Sequence, residues 1–257
     1  MRQRILTALV AIPLLLLLIV LGGWYLLGIC LLASAIALYE FYCFAQGLGY
    51  NLSLSLLLTG GLAAFLTMYL IGENKLNFSA LIVLIIFILL VEMFRSKAVL
   101  KNGSLTILGL IYAGVLFAFI PLIRNFGFGH IILLFLVTWG TDSFAYFIGI
   151  KFGQHKLWPA VSPKKSWEGA LGGLLGGILG GLVTAFLGFT TPLIGLITGF
   201  FGGITAEVGD LMESAMKRES NVKDSGYILP GHGGILDRVD SLILLAPVIY
   251  FILQLFV

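Results

Sequence analysis

Runs of about 20 apolar residues follow one another along nearly the whole chain, and this feature leaves few folds open. A bilayer core about 30 Å thick is crossed by a helix of roughly 20 mostly apolar residues. Nine runs qualify: 5–21, 24–44, 52–71, 78–94, 104–122, 129–150, 167–187, 190–212 and 235–257. None shows the period-two alternation of barrel strands, so helices must satisfy the backbone inside lipid. The expected fold is an all-α, polytopic integral membrane protein with about nine transmembrane helices. Composition removes the soluble alternative: 11% of residues are charged and 60% are hydrophobic, against roughly 25% charged in soluble domains. The first run follows Arg2 and Arg4 as a signal peptide would. However, Leu21-Gly22-Gly23-Trp24 offers no small-residue cleavage pattern, so the run is expected to stay as a helix.

The loops orient these spans. With the N-terminus inside, thirteen basic residues fall on inner segments: Arg2, Arg4, Arg95, Lys97, Lys101, Lys151, Lys156, Lys164, Lys165, Lys217, Arg218, Lys223 and Arg238. Only Lys75 and Arg124 fall outside. This positive-inside bias places the N-terminus in the cytoplasm and, after nine spans, the C-terminus outside. The net charge of +3 is accordingly a topology signal and does not point to nucleic acid. Cys30 and Cys43 share one expected helix, about 20 Å apart along its axis, too far to pair; they read as small hydrophobes.

The chain divides in character at residue 128. Residues 1–128 hold spans joined by plain loops, with Glu40 and Glu92 near expected inner ends, where they can reach the interface. Residues 129–257 form the chemical half. Two long inner loops, about 151–166 and 213–234, are bordered at membrane depth by Asp142, Glu168, Glu207, Asp210, Asp237 and Asp240. Ionisable groups in spans are costly and point to function by default. The seventh run carries glycines at 169, 173, 177 and 181 and again at 172, 176 and 180, the pattern of close helix packing.

The stretch 207–240 concentrates polar chemistry. If the eighth helix continues to Arg218, then Glu207, Asp210, Ser214, Lys217 and Arg218 share one face, with Glu213 at its edge. Gly231, Gly233 and Gly234 follow in a turn that opens the last helix. Backbone N–H groups at such a helix start suit phosphate. Asp237 and Asp240, spaced i and i+3, share a face of that helix. Over this stretch seven acidic residues stand against four basic ones. Such an excess repels phosphates unless a hard divalent cation intervenes, and oxygen ligands select Mg²⁺. Lys217, Arg218, Lys223 and Arg238 are then free to grip phosphates. Ser162, Lys164 and Lys165 sit in the other loop, with Ser166 a candidate helix cap. Asp142 shares a face with Thr138 and Ala145 and suits a partner for a lysine or the metal. His130 is expected at the interface and His155 in solvent, and no zinc-type spacing of histidines occurs.

The pattern Ser214-x-x-Lys217-Arg218-x₄-Lys223-Asp224-x-Gly226-x₃-Pro230-Gly231-His232-Gly233-Gly234-x-x-Asp237-Arg238-x-Asp240 resembles the signature of the phosphatidate cytidylyltransferases, the CDP-diacylglycerol synthases. Asp142-Ser143-x-Ala145-Tyr146 and Ser162-Pro163-Lys164-Lys165-Ser166-Trp167-Glu168-Gly169 are similar to the same family, so the resemblance covers 138–257. It implies transfer of CMP from CTP to phosphatidic acid at the cytoplasmic face of a bacterial inner membrane. On that basis Asp210, Asp237 and Asp240 bind Mg²⁺, with room for a second cation. Lys217, Arg218, Lys223 and Arg238 hold phosphates, with His232 a phosphate donor inside the signature. Gly231, Gly233 and Gly234 cradle the nucleotide, while Ser214, Asp224, Ser162, Lys164, Lys165 and Asp142 line the same mouth. The resemblance also implies a homodimer. Two rivals differ in testable ways. A CTP-dependent polyprenol kinase would release CDP, and a secondary transporter would show internal repeats and broken helices at mid-bilayer, whereas here the polar residues gather at one membrane face and no repeat is seen.

Overall fold

The computed structural model describes residues 13, 16–226 and 233–257. Its helices are α1 (Gly23–Gly47), α2 (Leu54–Gly72), α3 (Ser79–Arg95), α4 (Val99–Gly109, continuing in helical turns to Phe126), α5 (Phe128–Phe152), α6 (Trp167–Phe186), α7 (Pro192–Glu219) and α8 (Leu236–Phe256). Among the described residues, seven helices are long and apolar enough to cross a membrane: all except α3. Helix α3 has 17 residues, about 26 Å at 1.5 Å per residue, just short of the span expected at 78–94. The run 5–21 lies largely outside the described residues.

The chain forms two compact units. One comprises 1–122 with 219–238, the other 123–218 with 239–257. The segment 219–238, from the second half of the chain, belongs to the first unit. A long-range anchor accounts for this, as shown below.

In the first unit α2 is the central contact. Gly60 lies against Ile88 of α3, Gly61 against Leu38 of α1, and the Gly61 carbonyl against Gly114 of α4. At each place a Cβ would approach its neighbour to 2.9 Å or less, so glycine permits the approach. Helix α4 passes through a π-helical stretch at Leu110–Val115. Such stretches disturb the regular i→i−4 ladder, and the buried Ser34 hydroxyl donates to the Ala113 carbonyl there at 2.5 Å. Leu38, Leu57, Ala64, Phe65, Tyr112 and Phe117 complete a dry core.

The second unit is built on glycine contacts. Successive helices α5, α6 and α7 run antiparallel. One row of α6, Gly172, Gly176 and Gly180, faces Ile148, Gly140 and Leu136 of α5. The other row meets α7: Gly177 lies against Gly199, and Gly181 against Gly195. The first row thus serves α5, while the second begins against α5 at Gly169 and turns to α7 from Gly173 onward. Helix α8 returns antiparallel to α7, with Gly209 against the Asp240 carbonyl and Gly202 against Leu245.

The loop after α5, expected to be irregular, folds as an antiparallel hairpin of β1 (Lys156–Trp158) and β2 (Ser162–Ser166). The Val161 N–H donates to Trp158 O at 3.1 Å to close its turn, and Trp167 N–H to His155 O at 2.9 Å closes its base. Ser166 caps α6 by accepting from Gly169 N–H at 3.1 Å, as its position suggested. Glu168, in the first turn of α6, accepts from the Gln154 and His155 backbone N–H groups at 3.1 and 3.2 Å and pairs with His155 Nδ1 at 2.6 Å. His155 is thus exposed yet anchored, where the sequence suggested plain solvation.

Candidate active site

In the second unit, the second halves of α5 and α7, the start of α8 and the hairpin bring charged groups together. Alternation along β2 sends its two lysines opposite ways: Lys164 is exposed, while Lys165 turns inward. Lys165 Nζ pairs with Asp210 Oδ2 at 2.8 Å and lies 3.6 Å from Glu207 Oε2. Asp142 interacts electrostatically with Asp210, Glu207 and Lys165 and hydrogen-bonds Ser241. Asp240 interacts with Asp210, Asp142 and Lys217. Asp142, Asp210 and Asp240 thus interact with one another, and Glu207 with Asp142 and Asp210, with Lys165 and Lys217 among them. The extension of α7 to Glu219 carries the face expected to bear Glu207, Asp210, Ser214, Lys217 and Arg218. On it Ser214 Oγ donates to Asp210 Oδ1 at 3.3 Å, and Arg218 Nε donates to Val161 O at 3.3 Å, fastening the hairpin turn.

Two acids gain roles that the sequence left open. Glu213 is fully buried and pairs with Lys217 one turn on, so it sets the direction of that lysine. Glu207 lies beside Gly173, where a side chain would collide with Glu207 Oε1. That buried oxygen has no hydrogen-bond partner. A buried carboxylate oxygen without a donor is costly, and here it stands within a group of like charges.

The remaining signature residues lie in the first unit. Asp237 Oδ2 accepts from Ser225 N–H at 2.8 Å and from Gly234 N–H at 2.9 Å, and lies 2.9 Å from Ser225 Oγ. The loop is stitched by this carboxylate. Gly233 has φ +83, and a Cβ there would come within 2.6 Å of Asp237 Oδ2, so both backbone conformation and space demand glycine. The Gly234 N–H, expected to receive a nucleotide phosphate, is taken by Asp237 instead. The amides of Ile235 and Leu236 are likewise taken, by Glu40 at 2.8 Å each. Among the described residues, the amides of Gly234, Ile235 and Leu236 at the start of α8 are thus held by protein carboxylates. Lys223, Asp224 and Arg238 are exposed around this loop, and Ser162 is half-buried on β2. Pro230, Gly231 and His232 lie outside the described residues.

Among the described residues, no three His, Cys, Asp or Glu side chains are gathered as a ready-made metal cage. The chemistry of the cluster in the second unit nevertheless fits a hard divalent cation. Its donors are all carboxylate oxygens, its acids outnumber its lysines, and Glu207 offers an oxygen with no other partner.

Comparison with known proteins identifies the family. Residues 2–256 match the model of the cytidylyltransferase family. A phosphatidate cytidylyltransferase of Bacillus subtilis is 34% identical, the alignment covering 100% of this chain and 98% of that protein. One from Staphylococcus saprophyticus is also 34% identical, over 98% of this chain and 99% of that protein. One from Brucella abortus reaches 43% over 55% of this chain and 54% of that protein. With the family model matched almost from end to end, this multi-pass membrane chain belongs to the cytidylyltransferase family and is a nucleotidyltransferase.

Proposed function

We propose that the chain transfers CMP from CTP to phosphatidic acid, giving CDP-diacylglycerol and pyrophosphate. The full-length similarity to relatives named for that reaction carries the choice of substrates. A phosphate oxygen of phosphatidate forms a bond to the α-phosphorus of CTP as the bond to the bridging oxygen breaks. The electron pair leaves with pyrophosphate. The nucleophile is already an anion, so the protein has mainly to position two polyanions and neutralise charge.

The residues divide that task. Asp210 and Asp240, with Asp142 and Glu207 beside them, would hold Mg²⁺, which when bound offsets phosphate charge and lets carboxylates and phosphates share one site. Asp237, given the same role by sequence, keeps the signature loop closed through Oδ2. Lys217, directed by Glu213, and Lys165, directed by Asp210, present ammonium groups to phosphate. Arg218 offers a planar fork that suits phosphate better than a point charge. The acyl chains stay in the bilayer while the headgroup enters sideways.

The decisive assay supplies purified protein with CTP, phosphatidate in mixed micelles and Mg²⁺. Lipid-linked CMP and pyrophosphate are expected. Release of CDP with a phosphorylated lipid would instead identify a CTP-dependent lipid kinase. We also place the site at the cytoplasmic face of a bacterial cell membrane, on the charge bias of the loops. Single cysteines at the exposed positions Gln154 and Val222, with Cys30 and Cys43 replaced, should resist impermeant thiol reagents in intact cells and react after lysis. Labelling of both from outside would invert the orientation.

A further inference from the structure

Glu40 is the only charged residue between Arg4 and Glu73, and its side chain is fully buried at 1% exposure. A glutamate near a helix end reads from sequence as reaching for the interface. The structure turns it the other way. Oε1 accepts from Ile235 N–H at 2.8 Å, and Oε2 accepts from Leu236 N–H at 2.8 Å and from Ser225 Oγ at 2.9 Å. One carboxylate on α1 thereby caps the start of α8 from nearly 200 residues away and gathers both ends of the signature loop.

A second observation agrees. A Cβ on Gly226 would approach Glu40 Oε1 to 2.7 Å, and one on Gly234 would approach it to 2.5 Å. Two glycines of the signature therefore make room for this side chain. Its charge is met by amides at a helix N-terminus, where both the hydrogen bonds and the dipole favour an anion. The same Ser225 hydroxyl lies 2.9 Å from Asp237 Oδ2, so Glu40 and Asp237 grip the loop through a shared residue.

We propose that Glu40 is a positioning residue of the transferase. It fixes the start of α8 together with Ser225 and Gly226, and through them the signature residues Asp237 and Arg238. It touches neither substrate. This rests on the transferase reading above.

The test compares Glu40→Ala and Glu40→Gln with wild type in the CTP and phosphatidate assay, with turnover expressed per monodisperse, folded molecule. Glu40→Ala should lose about a hundredfold in kcat, the scale of an ångström-level misplacement of a catalytic site. Amide hydrogen exchange in the segment holding Ile235 and Leu236 should rise. Glu40→Gln keeps one acceptor oxygen in the same place and should recover part of the turnover and part of the protection. A role in folding alone would reduce the yield of folded protein but leave kcat per folded molecule unchanged. Turnover of folded Glu40→Ala within twofold of wild type overturns the proposal. So does normal turnover of Glu40→Gln in the event that Glu40→Ala does not fold. Inactivity of the wild type in the same assay would instead remove the transferase reading itself.

Discussion

Asp240→Asn and Asp210→Asn should each lower turnover by roughly a hundredfold or more, the range seen when a preorganised charge-stabilising group is removed. Asparagine keeps the shape and one oxygen of each side chain but takes away the charge. Asp142, Asp210 and Asp240 interact with one another, with Glu207 beside the first two, and among the described residues Lys165 and Lys217 are the cations that interact with them. Their mutual repulsion is a cost in the folded protein, so Asp240→Asn should leave the metal-free protein at least as stable as wild type, while Asp210→Asn also gives up the ion pair with Lys165. Activity and stability therefore separate, which distinguishes a functional cluster from a structural one. Chelation should abolish wild-type turnover until Mg²⁺ is restored. Near-normal turnover in both variants, or an active chelated enzyme, would make the acids structural. Melting curves in detergent, taken beside the kinetics, supply the second measurement.

Gly177→Leu should prevent the second unit from assembling. A Cβ at this position already comes within 2.8 Å of Gly199 O and of Thr141 Oγ1, and the following atoms of leucine have nowhere to go. Overpacking a core costs about 1–3 kcal/mol when side chains can shift. Here one obstacle is the backbone of α7, so whole helices would have to separate and the cost should exceed that range. Little monodisperse protein is expected in size-exclusion chromatography. Gly28→Leu on α1 is the control, since nothing lies within 4 Å of its Cβ position, and it should purify normally. A folded, active Gly177→Leu enzyme would mean that α6 and α7 do not approach as described.

Periodic features were legible and paired ones were not. Long apolar runs announce helices because hydrocarbon admits little else. The glycines of α6 announce close packing because their spacing matches one turn. The face of α7 bearing Asp210 and Lys217 follows from helical geometry once the helix is extended to Glu219. The hairpin at 156–166 was hidden because its strands are only three and five residues long, with Pro163 and charges inside. Glu213 lay at the edge of the face drawn for α7, and nothing local shows that it directs Lys217. The closure of α8 by Asp237 and Glu40 was also invisible, because a glycine-rich turn before a helix looks alike whether phosphate or carboxylate fills it. Glu40 alone left a usable clue: a solitary charge in an otherwise apolar segment requires a partner somewhere.

The span between Glu40 and its partners has a consequence for biosynthesis. Ile235 is 195 residues downstream, so at ribosomal rates of about 5–20 residues per second the carboxylate waits on the order of 10–40 s for its amides. During that interval α1 carries an acid whose final ligands do not yet exist, and water or an insertion factor must stand in for them. The signature loop cannot close until the start of α8 has been made. A nascent chain stalled before that point lacks the amides that Glu40 holds in the finished protein.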